Sequence, residues 1–164
     1  MSRNPVFVYV WVSLVKAKSP GHAAMALTQE STCFDDGYIS FAPKVSGCID
    51  GPGKFYDRHH DKKHYQNRGL WVGEIHGLDV DAMWQRWNRD RQRSHHYSIR
   101  NECATVVHRY LKAGGGDQFA TWWSSKVLAF WSPDDVEDYA RSIIQSTHRL
   151  GSNGKKFRGE GTVF

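Results

Sequence analysis

Among the 164 residues, the thiol at Cys103 stands where a nucleophile would be activated. It is the third residue of Asn101–Ala113 (NECATVVHRYLKA), in which Cys103, Val106, Val107, Tyr110 and Leu111 recur at i, i+3, i+4, i+7 and i+8. That spacing predicts a helix with Asn101 as N-cap, stopped by Gly114, Gly115 and Gly116. The cysteine then sits in the first turn, where unpaired backbone N–H groups and the helix dipole favour a thiolate. The plain alternative is a buried structural cysteine. Cys33 and Cys48 lack this context, and three cysteines without a C-x-x-C pair fit neither a disulfide framework nor a zinc ribbon.

A thiolate needs a base held by rigid backbone. His22 follows Ser19-Pro20-Gly21 at the start of an extended segment, from which its ring can project towards a helix. Other histidines compete with it. His60 and His64 stand at i, i+4 beside Asp57, Asp61 and His59, a spacing that could ligate zinc from one helix face. The stretch lacks apolar periodicity and an H-E-x-x-H pattern, so it reads as solvated loop and no metal is expected. His95 and His96, near Arg91, Arg93 and Arg100, form a basic patch just before the nucleophile segment, and His96 is a candidate for substrate contact. Glu74 and His76 form a reserve orienting pair. Trp122 and Trp123, followed by Phe130 and Trp131, suit an aromatic wall for a ligand or the packing of a small core.

The positioning elements follow from periodicity. Val6, Val8, Val10 and Val12 alternate with Phe7, Tyr9 and Trp11, as in a central strand. His22–Thr28 and Tyr38–Phe41 read as further strands, the second introduced by Asp35-Asp36-Gly37 and ended by Pro43. Residues 44–68 read as one long surface loop. Leu70–Ile75 restores a strand, and Leu78-Asp79 opens a helix whose Met83, Trp84 and Trp87 share a core face. A last helix starts at Ser132-Pro133-Asp134-Asp135. The expected fold is α+β, a small mostly antiparallel sheet packed against helices. One domain over residues 1–151 and a flexible basic tail over 152–164 complete the reading.

The segments GHAAMAL (21–27), GYISFAP (37–43) and NECATVVHRYLKAGG (101–115) resemble, in that order, the motifs of permuted papain-like enzymes. Relatives there include permuted NlpC-type peptidases and the lecithin retinol acyltransferase group. The resemblance runs from Pro20 to Gly116 and implies His22 as base, Cys103 as nucleophile and a polar orienting residue on the YISF strand. Ser40 is the candidate for that third place, and Tyr38 shares its face and becomes a candidate for substrate contact. It implies no cofactor, and as substrate an amide in a peptidoglycan stem peptide or a protein. An ester in lipid is the enzymatic alternative, since the acyltransferase branch shares the pattern.

Composition narrows the partners. Hydrophobic and charged fractions are those of an ordinary packed domain, and no stretch approaches the ~20 apolar residues of a membrane span. No stable membrane insertion is therefore expected. Twenty-two Lys and Arg against seventeen Asp and Glu give a net charge of +5, which favours anionic partners. The opening residues show no classical signal peptide. Together with the resemblance, these traits suit a toxin effector made in the cytoplasm, exported by a dedicated apparatus and paired with an immunity protein. The rival from another class is a nucleic-acid-binding module, which requires salt-dependent binding indifferent to Cys103.

Overall fold

The computed structural model describes residues 4–12, 21–98, 100–120 and 131–151. Among them, six strands form one antiparallel sheet in the order β5-β1-β2-β3-β4-β6. The strands are β1 (Val6–Trp11), β2 (His22–Ala26), β3 (Tyr38–Pro43), β4 (Asp50–Phe55), β5 (Leu70–Ile75) and β6 (His96–Ser98). Four helices accompany them: α1 (Arg58–His64), α2 (Val80–Asp90), α3 (Cys103–Ala113) and α4 (Pro133–Gly151). The α+β expectation holds, with a sheet that is antiparallel throughout. Trp122, Trp123, Phe130 and the basic tail over 152–164 lie outside the described residues.

The alternation read in β1 divides its side chains between the two faces of the sheet. Val6, Val8 and Val10 join Met25, Ile39, Phe41 and the apolar stripes of α2, α3 and α4 in one buried cluster. Tyr9 and Trp11 join Ala24, Ala26 and Tyr38 on the opposite face. Burial of each large apolar side chain contributes roughly 1.5–3 kcal/mol. Strand β2 turns Ala23 and Met25 to the face on which α3 packs, and Ala24 and Ala26 to the other. The Ala23 methyl leaves room for the helix bearing Cys103, while Met25 fills the core beside it.

One expectation fails clearly. Residues 44–68 are not a single loop, because they contain β4 and α1. Strand β4 (DGPGKF) has few side chains with which to signal itself. The absence of a Cβ at Gly53 leaves room for the Phe41 ring, which such an atom would meet at 2.1 Å. Helix α1 (RHHDKKH) is capped by Asp57, whose side chain accepts from the His60 N–H at 2.7 Å, and its one buried residue is Asp61. A helix that buries a carboxylate has no apolar stripe to read.

Two boundaries also move. Strand β2 ends at Ala26 rather than Thr28. Asn101 does not cap α3. The N-cap position is Glu102, whose side chain makes no capping hydrogen bond, while Asn101 forms a bridge with Ser98. The glycine stop is as expected, with Gly114 at the C-cap and Gly115 left-handed at φ +84.

Entry to β3 depends on Gly37. Its φ is +93, and an added Cβ would lie 2.6 Å from Trp84 Cη2. The preceding turn is fixed by Trp87 Nε1–H donating to the Phe34 carbonyl at 2.6 Å. Helix α2 thereby positions the strand that carries Tyr38 and Ser40.

Candidate active site

His22 begins β2, paired across the ladder with Trp11 of β1, and is 2% exposed. Its ring is held on both flanks. Tyr65, just past α1, stacks on it at 4.7 Å between centroids with planes 13° apart, and Trp11 lies 5.5 Å away. Nε2 is 2.8 Å from the Ser40 hydroxyl. The Asp61 carboxylate is 3.6 Å from the same nitrogen, an ion-pair distance rather than a direct hydrogen bond.

Asp61 is itself built in. It is 1% exposed, and its Oδ2 accepts from the Tyr38 hydroxyl at 2.8 Å. Burial alone would raise its pKa, but the charge of His22, with hydrogen bonds from Ser40 and Tyr38, holds it below the usual carboxylate range. An ionised Asp61 orients the Ser40 hydroxyl to donate to it, so that Ser40 accepts from Nε2–H. Nδ1 is then the nitrogen left for the thiol.

Cys103 opens α3 and is 6% exposed. It lies near enough to His22 for its charge to act on the imidazole. Burial lowers the His22 pKa, but the Cys103 charge and Asp61 outweigh burial and push it up to about 9. Tyr97 on β6 is pushed up to about 12, first by burial and then by the Cys103 charge. Glu102 adjoins Cys103 with Oε1 buried and unpartnered, and burial, opposed by His22 and reinforced by Asp135, pushes its pKa up to about 7.

The structure thus brings together Cys103, His22 and Ser40 from the expected set. Tyr38 is fully buried and holds Asp61, so it does not line a cleft as expected from its place on the strand. His96 lies on β6, exposed, paired with Asp50 at 2.5 Å rather than with the Cys103–His22 pair. Glu74 on β5 and His76 just past its end pair with each other at 2.9 Å, at an edge of the sheet, so that reserve pair is not at the site. His60 and His64 do share a helix face, stacked 5.5 Å apart, yet among the described residues no group of three or more His, Cys, Asp or Glu could hold a metal. Cys33 and Cys48 are free thiols.

Asp61 is the residue that sequence reasoning missed, because its stretch reads as a solvated loop. A local signal did exist: Asp61 and Tyr65 stand at i, i+4 behind the Asp57 cap, so the carboxylate and the stacking ring lie on one face.

A family model described as the IcsB middle domain matches residues 54–160. The matched region contains Asp61, Glu102 and Cys103, while His22 and Ser40 precede it. No curated protein and no solved structure matches the chain significantly.

Proposed function

Because the chain belongs to the IcsB middle domain family, and because a first-turn thiol meets an imidazole backed by a buried carboxylate, we propose that it is a cysteine-dependent hydrolase of an acyl bond. The fold is proposed to be permuted papain-like, with the strand of the base preceding the helix of the nucleophile. The single observation that carries the reading is the His22 ring: fixed between Trp11 and Tyr65, with Nε2 engaged by Ser40 and backed by the Asp61 carboxylate, and with Cys103 near enough for its charge to raise the imidazole's pKa.

In this mechanism His22 takes the Cys103 proton through Nδ1, and the thiolate attacks the acyl carbon. Backbone N–H groups in the first turn of α3 stabilise the oxyanion, and Glu102 leaves them without a side-chain cap. His22 returns the proton to the leaving group as the thioester forms. Water activated by the same imidazole releases the acid and restores the thiol. Asp61 and Ser40 hold the imidazole tautomer and stabilise its charged form. An amide in a peptidoglycan stem peptide or a protein is the proposed substrate, and lipid ester cleavage or transfer to another acceptor would use the same thioester.

The effector reading rests on the family, whose namesake is an effector domain. Export by a dedicated apparatus and an immunity protein as partner belong to that proposal. No described helix is long and apolar enough to cross a membrane.

The test compares the three thiols within one chain. Exposed Cys48 provides an internal standard for ordinary alkylation, whereas Cys103 is buried. Iodoacetamide at pH 7, read by peptide mass spectrometry, is expected to label Cys103 faster than Cys48, and to lose that advantage in His22→Ala. A p-nitrophenyl acyl ester should leave an acyl mass on Cys103 alone. Labelling slower than Cys48, indifferent to His22 and without an acyl adduct, would make Cys103 a structural core residue.

A further inference from the structure

Beside the site, between the C-terminal end of α2, α3 and the β4–β6 edge, lies a cavity of about 210 Å³. It has two kinds of wall. Phe41, Phe55 and Val106 supply an apolar one, with Val106 one helical turn beyond Cys103. Arg86, Arg93 and Arg109 supply the other.

Two of the arginines are held in place. Arg109 donates from one terminal nitrogen to Asn101 Oδ1 at 2.6 Å and from the other to the Arg100 carbonyl at 3.1 Å, partners that hold the guanidinium without neutralising it. Arg86 pairs with Asp90 through Nε at 3.4 Å and lies over the Tyr110 ring. Burial and the neighbouring Arg86 both disfavour the charge on Arg109, with Asp90 in partial opposition. Three guanidinium groups therefore line the cavity against one carboxylate, Asp90. The two positive charges left over equal the charge of a phosphate monoester dianion, and the planar donor forks of arginine suit its oxygens. The apolar wall suits a compact hydrocarbon or aromatic body esterified to it.

We propose that this cavity binds a small phosphate monoester, its phosphate on Arg86, Arg93 and Arg109 and its apolar body against Phe41, Phe55 and Val106. The site is separate from the acyl chemistry and does not depend on it, so binding persists in Cys103→Ala.

Isothermal titration of the full chain with phenyl phosphate, at constant ionic strength set with sodium chloride, tests it. One saturable site is expected. Its affinity for phenyl phosphate should exceed that for benzoate at least tenfold and should also exceed that for inorganic phosphate, which lacks the apolar body. Arg93→Gln, which changes a residue beyond the end of α2, and Arg86→Gln should each weaken binding tenfold or more with the circular dichroism spectrum unchanged. Absence of saturable binding would overturn the proposal. So would equal affinity for benzoate, or binding that both arginine variants retain. The same titration in Cys103→Ala separates this inference from the catalytic one: binding kept there with no thiol reactivity in the wild type would leave the pocket standing and remove the hydrolase.

Discussion

The Asp61 carboxylate stands 3.6 Å from His22 Nε2 although one residue belongs to a helix and the other to a strand nearly forty positions earlier. Ser40 lies against the same nitrogen at 2.8 Å, so the imidazole has a close neutral partner and a more distant charged one. Their contributions differ in kind, and the difference is measurable.

Asp61→Asn keeps the size of the side chain and removes its charge. Acylation of Cys103 should fall by up to roughly 10⁴-fold, the loss seen when the carboxylate behind a catalytic imidazole is neutralised. A structural role alone would not move the His22 titration, so nuclear magnetic resonance of the imidazole provides the second readout. The His22 pKa should drop from its raised value, since burial would then meet less opposition.

Ser40→Ala removes one hydrogen bond and no charge. A net contribution of about 0.5–1.5 kcal/mol corresponds to a loss of about three- to tenfold in the rate of Cys103 acylation. A Ser40→Ala defect as deep as that of Asp61→Asn would show that the hydroxyl, not the carboxylate, orients the ring.

Glu102 provides a pH test of stability. Its pKa is raised from 4.5 to about 7, so the folded chain holds that proton more tightly than the unfolded one. The associated stability is fully present below pH 4.5 and is lost as pH rises through 7. His22, raised from 6.5 to about 9, adds a second loss between those values. Glu102→Gln should therefore raise the melting temperature at pH 8, change it little at pH 4.5, and leave the higher-pH loss in place. It should also quicken Cys103 alkylation above pH 7, because a negative charge beside a thiolate disfavours it.

Gly37→Ala tests the scaffold without touching the site. A left-handed φ and the Trp84 ring both oppose the new methyl group. A destabilisation of about 1–3 kcal/mol in urea is expected. Substitution at Gly47, left-handed with nothing within 4 Å, should show the backbone penalty alone.

What could be read from the sequence followed from what side chains bury. Strand β1, helix α2 and helix α3 bury apolar residues at regular intervals, and their periods stand in the sequence. His22 and Ser40 were legible because the strands that carry them were, and because the order of the three segments resembles a permuted papain-like pattern. Helix α1 was not legible. It is short, covered in Lys, Arg and His, and turns one carboxylate inward where a helix ordinarily turns leucine. Strand β4 was hidden by Gly51, Pro52 and Gly53, residues that elsewhere mark turns but here allow a strand to lie against the Phe41 ring. The expected cleft role of Tyr38 failed for a related reason: period two assigns a face to a side chain but does not reveal whether that face is already covered.

The residues proposed for catalysis come from β2, β3, α1 and α3, and no two of them are neighbours in the chain. An extended polypeptide carries each group but not the centre, because the imidazole meets its carboxylate and its thiol only after four separate pieces have docked. On the proposed reading, the thiol is unactivated for as long as the chain is unfolded. Reactivity at Cys103 would then report completed folding, appearing on refolding at the rate of tertiary assembly rather than of helix formation.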